Sequence, residues 1–183
     1  QILALDHPTA LINGCAAIAR MGIEEDLPKV LASLTRLDVS QLDDTQMLEL
    51  LRTYALSFIR LGRPNAEVAD AIAETLDQQF PSQNADVNRE LARMLVYLNS
   101  PTVVSKTMKL ITAASDSQNS KIPELLARNQ RYGGTIAKML ANMPDLQKLH
   151  YAFVLRNVKY GWTLEERLGY FEWLTEARTK GGG

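Results

Sequence analysis

Apolar residues recur along this chain with helical spacing. Between Asp86 and Ile111, Val87, Leu91, Met94, Leu95 and Leu98 fall at i, i+4, i+7, i+8 and i+11, the stripe that one face of an amphipathic helix buries. Asn99-Ser100-Pro101 breaks the run, because a proline ring cannot continue a helix yet suits the opening of the next one. Val104, Thr107, Met108 and Ile111 then resume the period. Such a helical hairpin keeps its apolar faces dry only against neighbours of its own kind.

The neighbours are present upstream. Moving the stripe back by 76 positions places it on Leu11, Cys15, Ile18, Ala19 and Gly22, in a helix opened by His7-Pro8-Thr9. Moving it back by 40 places it on Met47, Leu51, Tyr54, Ala55 and Phe58. Gly22 stands where a helix end favours a residue tolerant of positive φ. Glu24-Glu25-Asp26 suits a helix start, and Leu27, Val30, Leu31 and Leu34 mark the first partner helix. After a connector at Leu37–Leu42, Asp43 and Gln46 have capping-box spacing. Leu61-Gly62-Arg63-Pro64 is a stop signal, followed by a second partner helix carrying Val68, Ile72, Thr75 and Leu76. Turns near Gly22, Gly62 and Asn99 give two helices per roughly 40 residues, the period of HEAT and armadillo-like arrays rather than the ~34 of TPR units. The expected fold is all-α: a right-handed α-solenoid of three such hairpins over 1–114, with a globular helical bundle as the alternative.

Ala114–Lys121 is polar and aperiodic, so 115–122 is expected to be a loop. Residues 123–178 are expected to form a variant helical segment packed on the array. Its helices follow Pro123 and Thr135, run from Pro144 to about Val158, and resume after a turn at Lys159–Trp162. Thr163 with Glu166 is a second capping box, and Leu164, Leu168, Phe171 and Leu174 are the expected buried face. Residues 179–183 have linker character.

Charge and composition narrow the function. The net charge is −1, which supplies no global basic field for a nucleic acid. It is unevenly spread, with 10 basic against 15 acidic residues in 1–120 and 10 against 6 in 121–183. No apolar run approaches the ~20 residues of a membrane span. The chain opens on Gln1 and closes on three glycines, and is expected to be a piece of a longer polypeptide, so a missing targeting segment is uninformative. Cys15 is the single cysteine, which excludes an internal disulfide and a cysteine-based metal cage and points to a buried, inert thiol.

Eight of the aromatic residues fall in 132–183. They either close the open end of the array or, with Arg131, Arg156, Lys159 and Arg167 among them, form a docking patch, since Tyr, Trp and Arg dominate interface hot spots. The candidate interaction surface is Tyr132, Arg156, Tyr160, Trp162 and Arg167. Tyr54 and Tyr97 take core or near-core positions and are not counted. His150 has no histidine partner nearby, and no HExxH, Ser-His-Asp order or glycine-rich phosphate loop occurs. No catalytic, cofactor-binding or metal-ligating residue is assigned.

The third hairpin, VNRELARMLVYLNSP, and the stretch from Arg128 to Gly183 together resemble the HEAT-like helical region of large planctomycete-type secreted multidomain proteins. The most specific positions are Tyr132-Gly133, Leu155-Arg156, Gly161-Trp162-Thr163 and Tyr170-Phe171. In that family the region commonly lies between a propeller-like dehydrogenase domain and a C-terminal c-type cytochrome domain. The resemblance implies an extracytoplasmic location and a redox-associated parent protein. The CxxCH haem motif is not in this sequence, so it assigns no haem and no catalytic residue here. The leading expectation is a non-catalytic scaffold that spaces and docks flanking domains of the same polypeptide or another protein, without nucleic acid. The alternative is a peptide or glycan receptor on the concave face of the solenoid. An enzyme using His150, Tyr151 and Arg156 is the third.

Overall fold

The computed structural model of the chain describes residues 7–113 and 144–180. Eight α-helices and no strand occur among the described residues. They are α1 (Pro8–Met21), α2 (Leu27–Leu34), α3 (Asp44–Arg60), α4 (Ala66–Asp77), α5 (Ala85–Tyr97), α6 (Val103–Thr112), α7 (Leu146–Leu155) and α8 (Leu164–Ala177). The chain divides into two compact units, Gln1–Val103 and Val104–Gly183.

In the first unit α1 packs on α2 and α3, α3 on α5, and α4 on α5. The helices α1, α3 and α5 run parallel, because their starts touch starts and their ends touch ends. Gln46 Nε2 donates to Thr9 Oγ1 at 3.2 Å, and Asn84 Nδ2 to Asp44 Oδ2 at 2.8 Å. At the other end Arg60 Nη2 donates to the Arg20 carbonyl at 3.3 Å. The last two contacts join residues 40 positions apart.

Helix α3 starts at the expected capping box, with Gln46 N donating to Asp43 Oδ1 at 2.8 Å and Asp43 N to Gln46 Oε1 at 3.1 Å. Its stripe is buried at Met47, Leu51, Tyr54 and Phe58, but so are Leu50, Thr53 and Ser57. A helix with neighbours on two sides buries more than one stripe. Its hydroxyls bond inside the helix, Thr53 to the Glu49 carbonyl at 2.8 Å and Ser57 to the Thr53 carbonyl at 2.7 Å. Helix α5 buries the whole expected set, Val87, Leu91, Met94, Leu95 and Leu98. Asn99 beyond it takes the positive φ (63°) that a helix end favours.

Two details differ from expectation. Gly22 is extended (φ −80°, ψ −178°), so positive φ is not why glycine stands there. A Cβ would lie 2.7 Å from the Ile18 carbonyl oxygen and 2.9 Å from Asp26 Oδ2, so the requirement is steric. Gly62 is the one with the φ that glycine suits, at +108°. On α4, Thr75 is exposed and bonds the Ala71 carbonyl at 2.9 Å, while Ala69 and Ala73 join Ile72 and Leu76 inside. The connection into α5 is fixed by buried Asn88, whose side chain accepts from Ser82 N at 2.7 Å and donates to the Ser82 carbonyl at 2.8 Å.

In the second unit α6 buries Val104, Thr107, Met108 and Ile111, as its period predicts. Helix α7 is shorter than expected. Asp145 caps it, accepting from Gln147 N at 3.0 Å and Lys148 N at 3.1 Å, and regular helix ends at Leu155. It buries Tyr151, Ala152 and Leu155. Gly161 (φ +72°) turns the chain into α8, whose capping box is formed as expected: Glu166 N to Thr163 Oγ1 at 3.1 Å and Thr163 N to Glu166 Oε2 at 2.8 Å.

The expected buried face of α8 is a correction. No residue of this helix is buried: Leu164 is 76 % exposed, Leu168 56 % and Phe171 63 %, with Leu174 half-buried. The helix is tethered instead by Tyr170, whose hydroxyl donates to the Ala152 carbonyl at 2.9 Å, and by Gly169, where an added Cβ would sit 3.7 Å from Met108.

Candidate functional site

Of the five residues proposed from sequence as an interaction surface, Tyr132 lies outside the described residues. The other four sit on the α7–α8 turn and its flanks. Trp162 is half-buried, donates Nε1–H to the Val158 carbonyl at 2.8 Å and meets Tyr170 edge-on at 5.4 Å. Its polar edge is therefore spent on holding the turn. Arg156 places its guanidinium 3.5 Å above the Phe153 ring, a cation–π contact on an exposed helix end. Tyr160 and Arg167 are exposed. Burial pushes the Tyr170 phenol above its ordinary value against the pull of the Arg156 charge. The patch thus holds two exposed polar side chains, one Arg stacked on its own helix and one structural Trp.

Pattern reading placed an apolar stripe beside it but not its exposure. Leu164, Leu168 and Phe171 recur at i, i+4 and i+7 on α8, facing solvent. Leu164 and Leu168, with Met108 and Ser105 of α6, line a groove of about 720 Å³ bordered by Lys109, Glu165 and Glu172. Contiguous exposed apolar surface of this kind marks interaction sites more often than chance placement does.

A second groove, about 580 Å³, lies in the first unit between α2 and α4. Leu27, Leu31, Pro64 and Val68 form its floor, and Pro28, Ala32 and Ala71 its walls. Glu24 and Arg63 stand at its margin. Arg63 lies over the Tyr97 ring at 5.3 Å and donates Nη2 to the Tyr97 carbonyl at 3.3 Å, while that ring stacks on Phe58 at 5.3 Å. Tyr97, expected near the core, is exposed on its outer side. The sequence signal for this groove was weak: Pro28, Ala32 and Ala71 on exposed helix positions, which periodicity treats as neutral.

His150, Tyr151 and Arg156 lie along the C-terminal part of α7 and its cap. Tyr151 is buried and its hydroxyl accepts from Gln147 Nε2 at 2.7 Å, and Arg156 is engaged with Phe153. His150 meets Tyr151 ring to ring at 6.2 Å, edge-on. Among the described residues no three His, Cys, Asp or Glu side chains gather as a metal site, and no helix is long and apolar enough to cross a membrane. Cys15 is buried, and burial raises its thiol from the ordinary value of 9.0 to about 11, with Arg36 pulling it slightly down. A protonated, inaccessible thiol is a poor nucleophile.

Compared with family models, curated proteins and solved structures, the chain gives no match.

Proposed function

We propose that this chain is a non-catalytic interaction module, a HEAT-like α-solenoid segment that spaces and docks neighbouring protein domains. The arrangement is supported by the parallel succession of α1, α3 and α5, with hydrogen bonds between residues 40 positions apart. The observation that carries the docking role is the solvent-facing stripe Leu164, Leu168 and Phe171 on a helix with no fully buried residue. Its partner is a folded domain of the same polypeptide or another protein. The resemblance to planctomycete-type secreted proteins favours an extracytoplasmic, cytochrome-linked setting, in which the haem belongs to a different domain. Calorimetric titration of the chain with each flanking domain of its parent protein tests the role. Binding weakened by Leu168→Glu is the expected outcome, and no heat with either domain refutes docking.

A second reading is favoured by the groove between α2 and α4: a receptor for a polypeptide segment. A glycan strand is disfavoured there, because among the described residues no aromatic ring lines the groove to stack on sugar faces.

A further inference from the structure

We infer that the exposed face of α8 pairs with α8 of a second copy of this chain, the two helices lying parallel about a two-fold axis. This rests on the docking reading above and names the partner of that face. The apolar centre of the face is Leu164, Leu168 and Phe171, and exposed Thr175 continues the line. At about 100° per residue, Glu172, Glu165 and Glu176 fall about 40–80° to one side of Leu168. Arg178 and Arg167 fall about 80–100° to the other side. Arg178 is the C-cap and keeps helical φ and ψ (−59°, −24°), so it belongs to the same wheel. All five charged side chains are exposed. None enters an ion pair among the described residues, where the pairs are Lys29–Asp26, Arg89–Asp86 and Arg93–Glu90. The face is an apolar stripe with one acidic edge and one basic edge.

That asymmetry decides the partner. Two copies of a helix that face each other in parallel are related by an axis along the helices, so each copy's acidic edge meets the other's basic edge. Arg167 of each copy then faces Glu165 and Glu172 of the other, the kind of flanking charge pair that sets partner and direction in coiled coils. Leu164, Leu168 and Phe171 each meet their own counterpart. Turned antiparallel, like edge meets like edge, glutamate on glutamate and arginine on arginine, which is unfavourable. The groove between α6 and α8 runs along the acidic edge and leaves room for the incoming arginine. Its α8 wall carries Glu165, Glu166 and Glu172, against the single Lys109 of its α6 wall. The helix has 14 residues, about 21 Å, and one such face falls short of the ~800 Å² per partner of a standard interface. The pair is accordingly weak and forms at high protein concentration.

Sedimentation equilibrium of the full chain from about 10 μM to about 1 mM tests the pairing, with monomer expected at the low end, dimer at the high end and weaker association as salt rises. Arg167→Glu/Arg178→Glu leaves two acidic edges, and Glu165→Lys/Glu172→Lys/Glu176→Lys leaves two basic ones. Each variant should self-associate about tenfold more weakly or not at all, and their mixture should regain association. Disulfide trapping reads the direction, because Cys15 is the single cysteine and is buried. Thr175→Cys should cross-link to itself. Cross-linking only between Leu164→Cys and Thr175→Cys chains would show antiparallel helices and overturn the inference, as would association indifferent to the charge variants. A chain that stays monomeric throughout, yet gives heat with a flanking domain, overturns self-pairing alone and leaves docking standing. No association and no heat overturn both.

Discussion

Leu168→Gln separates an α8 face that is packed from one that is open. Were Leu168 a core residue, its truncation would cost about 2–5 kcal/mol, as large-to-small changes in cores do. The side chain is 56 % exposed. Less than half of the ~1.5–3 kcal/mol attached to full leucine burial is at stake, which leaves about 1 kcal/mol or less. Glutamine is as good a helix former as leucine, so propensity adds little. Urea unfolding followed by tryptophan fluorescence reads the right unit, because both tryptophans, Trp162 and Trp173, lie in it. Leu155→Ala is the buried counterpart in the same unit, with no exposed surface, and should cost about 2–5 kcal/mol. Midpoints should shift without a change in slope. A loss for Leu168→Gln above about 2 kcal/mol, comparable to that of Leu155→Ala, would refute the open face and with it the docking role built on it.

Other consequences concern the first unit. Asn88→Ala removes both hydrogen bonds to Ser82 and should destabilise by about 1–3 kcal/mol in denaturant unfolding; a change under about 0.5 kcal/mol would show the clamp to be incidental. Gly22→Ala forces a Cβ against the Ile18 carbonyl and should cost about 1–3 kcal/mol, with a neutral result contradicting the steric reading. Cys15 should resist a thiol reagent at pH 8 until the chain is unfolded, and rapid labelling of the native protein would show it to be accessible. Because burial raises its folded-state value from 9.0 to about 11, the protonated thiol contributes stability that is fully present below about pH 9 and fades as pH rises toward 11. The buried Tyr54 phenol, raised by burial and then by the Cys15 charge, adds in the same direction. Stability that stays level from pH 8 to 11 would contradict both assignments.

Much of the helical layout is local, and local signals are legible. The Asp43–Gln46 and Thr163–Glu166 boxes satisfy backbone donors with side chains three residues away, so four letters specify each helix start. On α5 every stripe position is buried, but Asn88 and Ala92 are buried beside it, because this helix packs on both α3 and α4. Helix α3 packs on both α1 and α5, and no single stripe describes a helix with two partners. On α8 the period located the apolar face at Leu164, Leu168 and Phe171, but periodicity says which residues share a face and not what covers it. The candidate surface was harder still. Residue type marked Trp162 as a hot spot, while its indole N–H is committed to Val158. The α2–α4 groove depends on the separation of two helices, a quantity with no sequence period.

The hydrogen bond from Arg60 to Arg20 joins the ends of α3 and α1, and that from Asn84 to Asp44 joins the starts of α5 and α3. An arrangement held by such like-to-like contacts can be lengthened or shortened by whole hairpins without inventing a new joint. Each added hairpin would advance the row by one interhelical distance, about 8–10 Å. Duplication of a single stretch of gene then acts as a measuring step. In the spacer role proposed above, the reach between two attached domains would be a heritable dimension that changes in fixed increments.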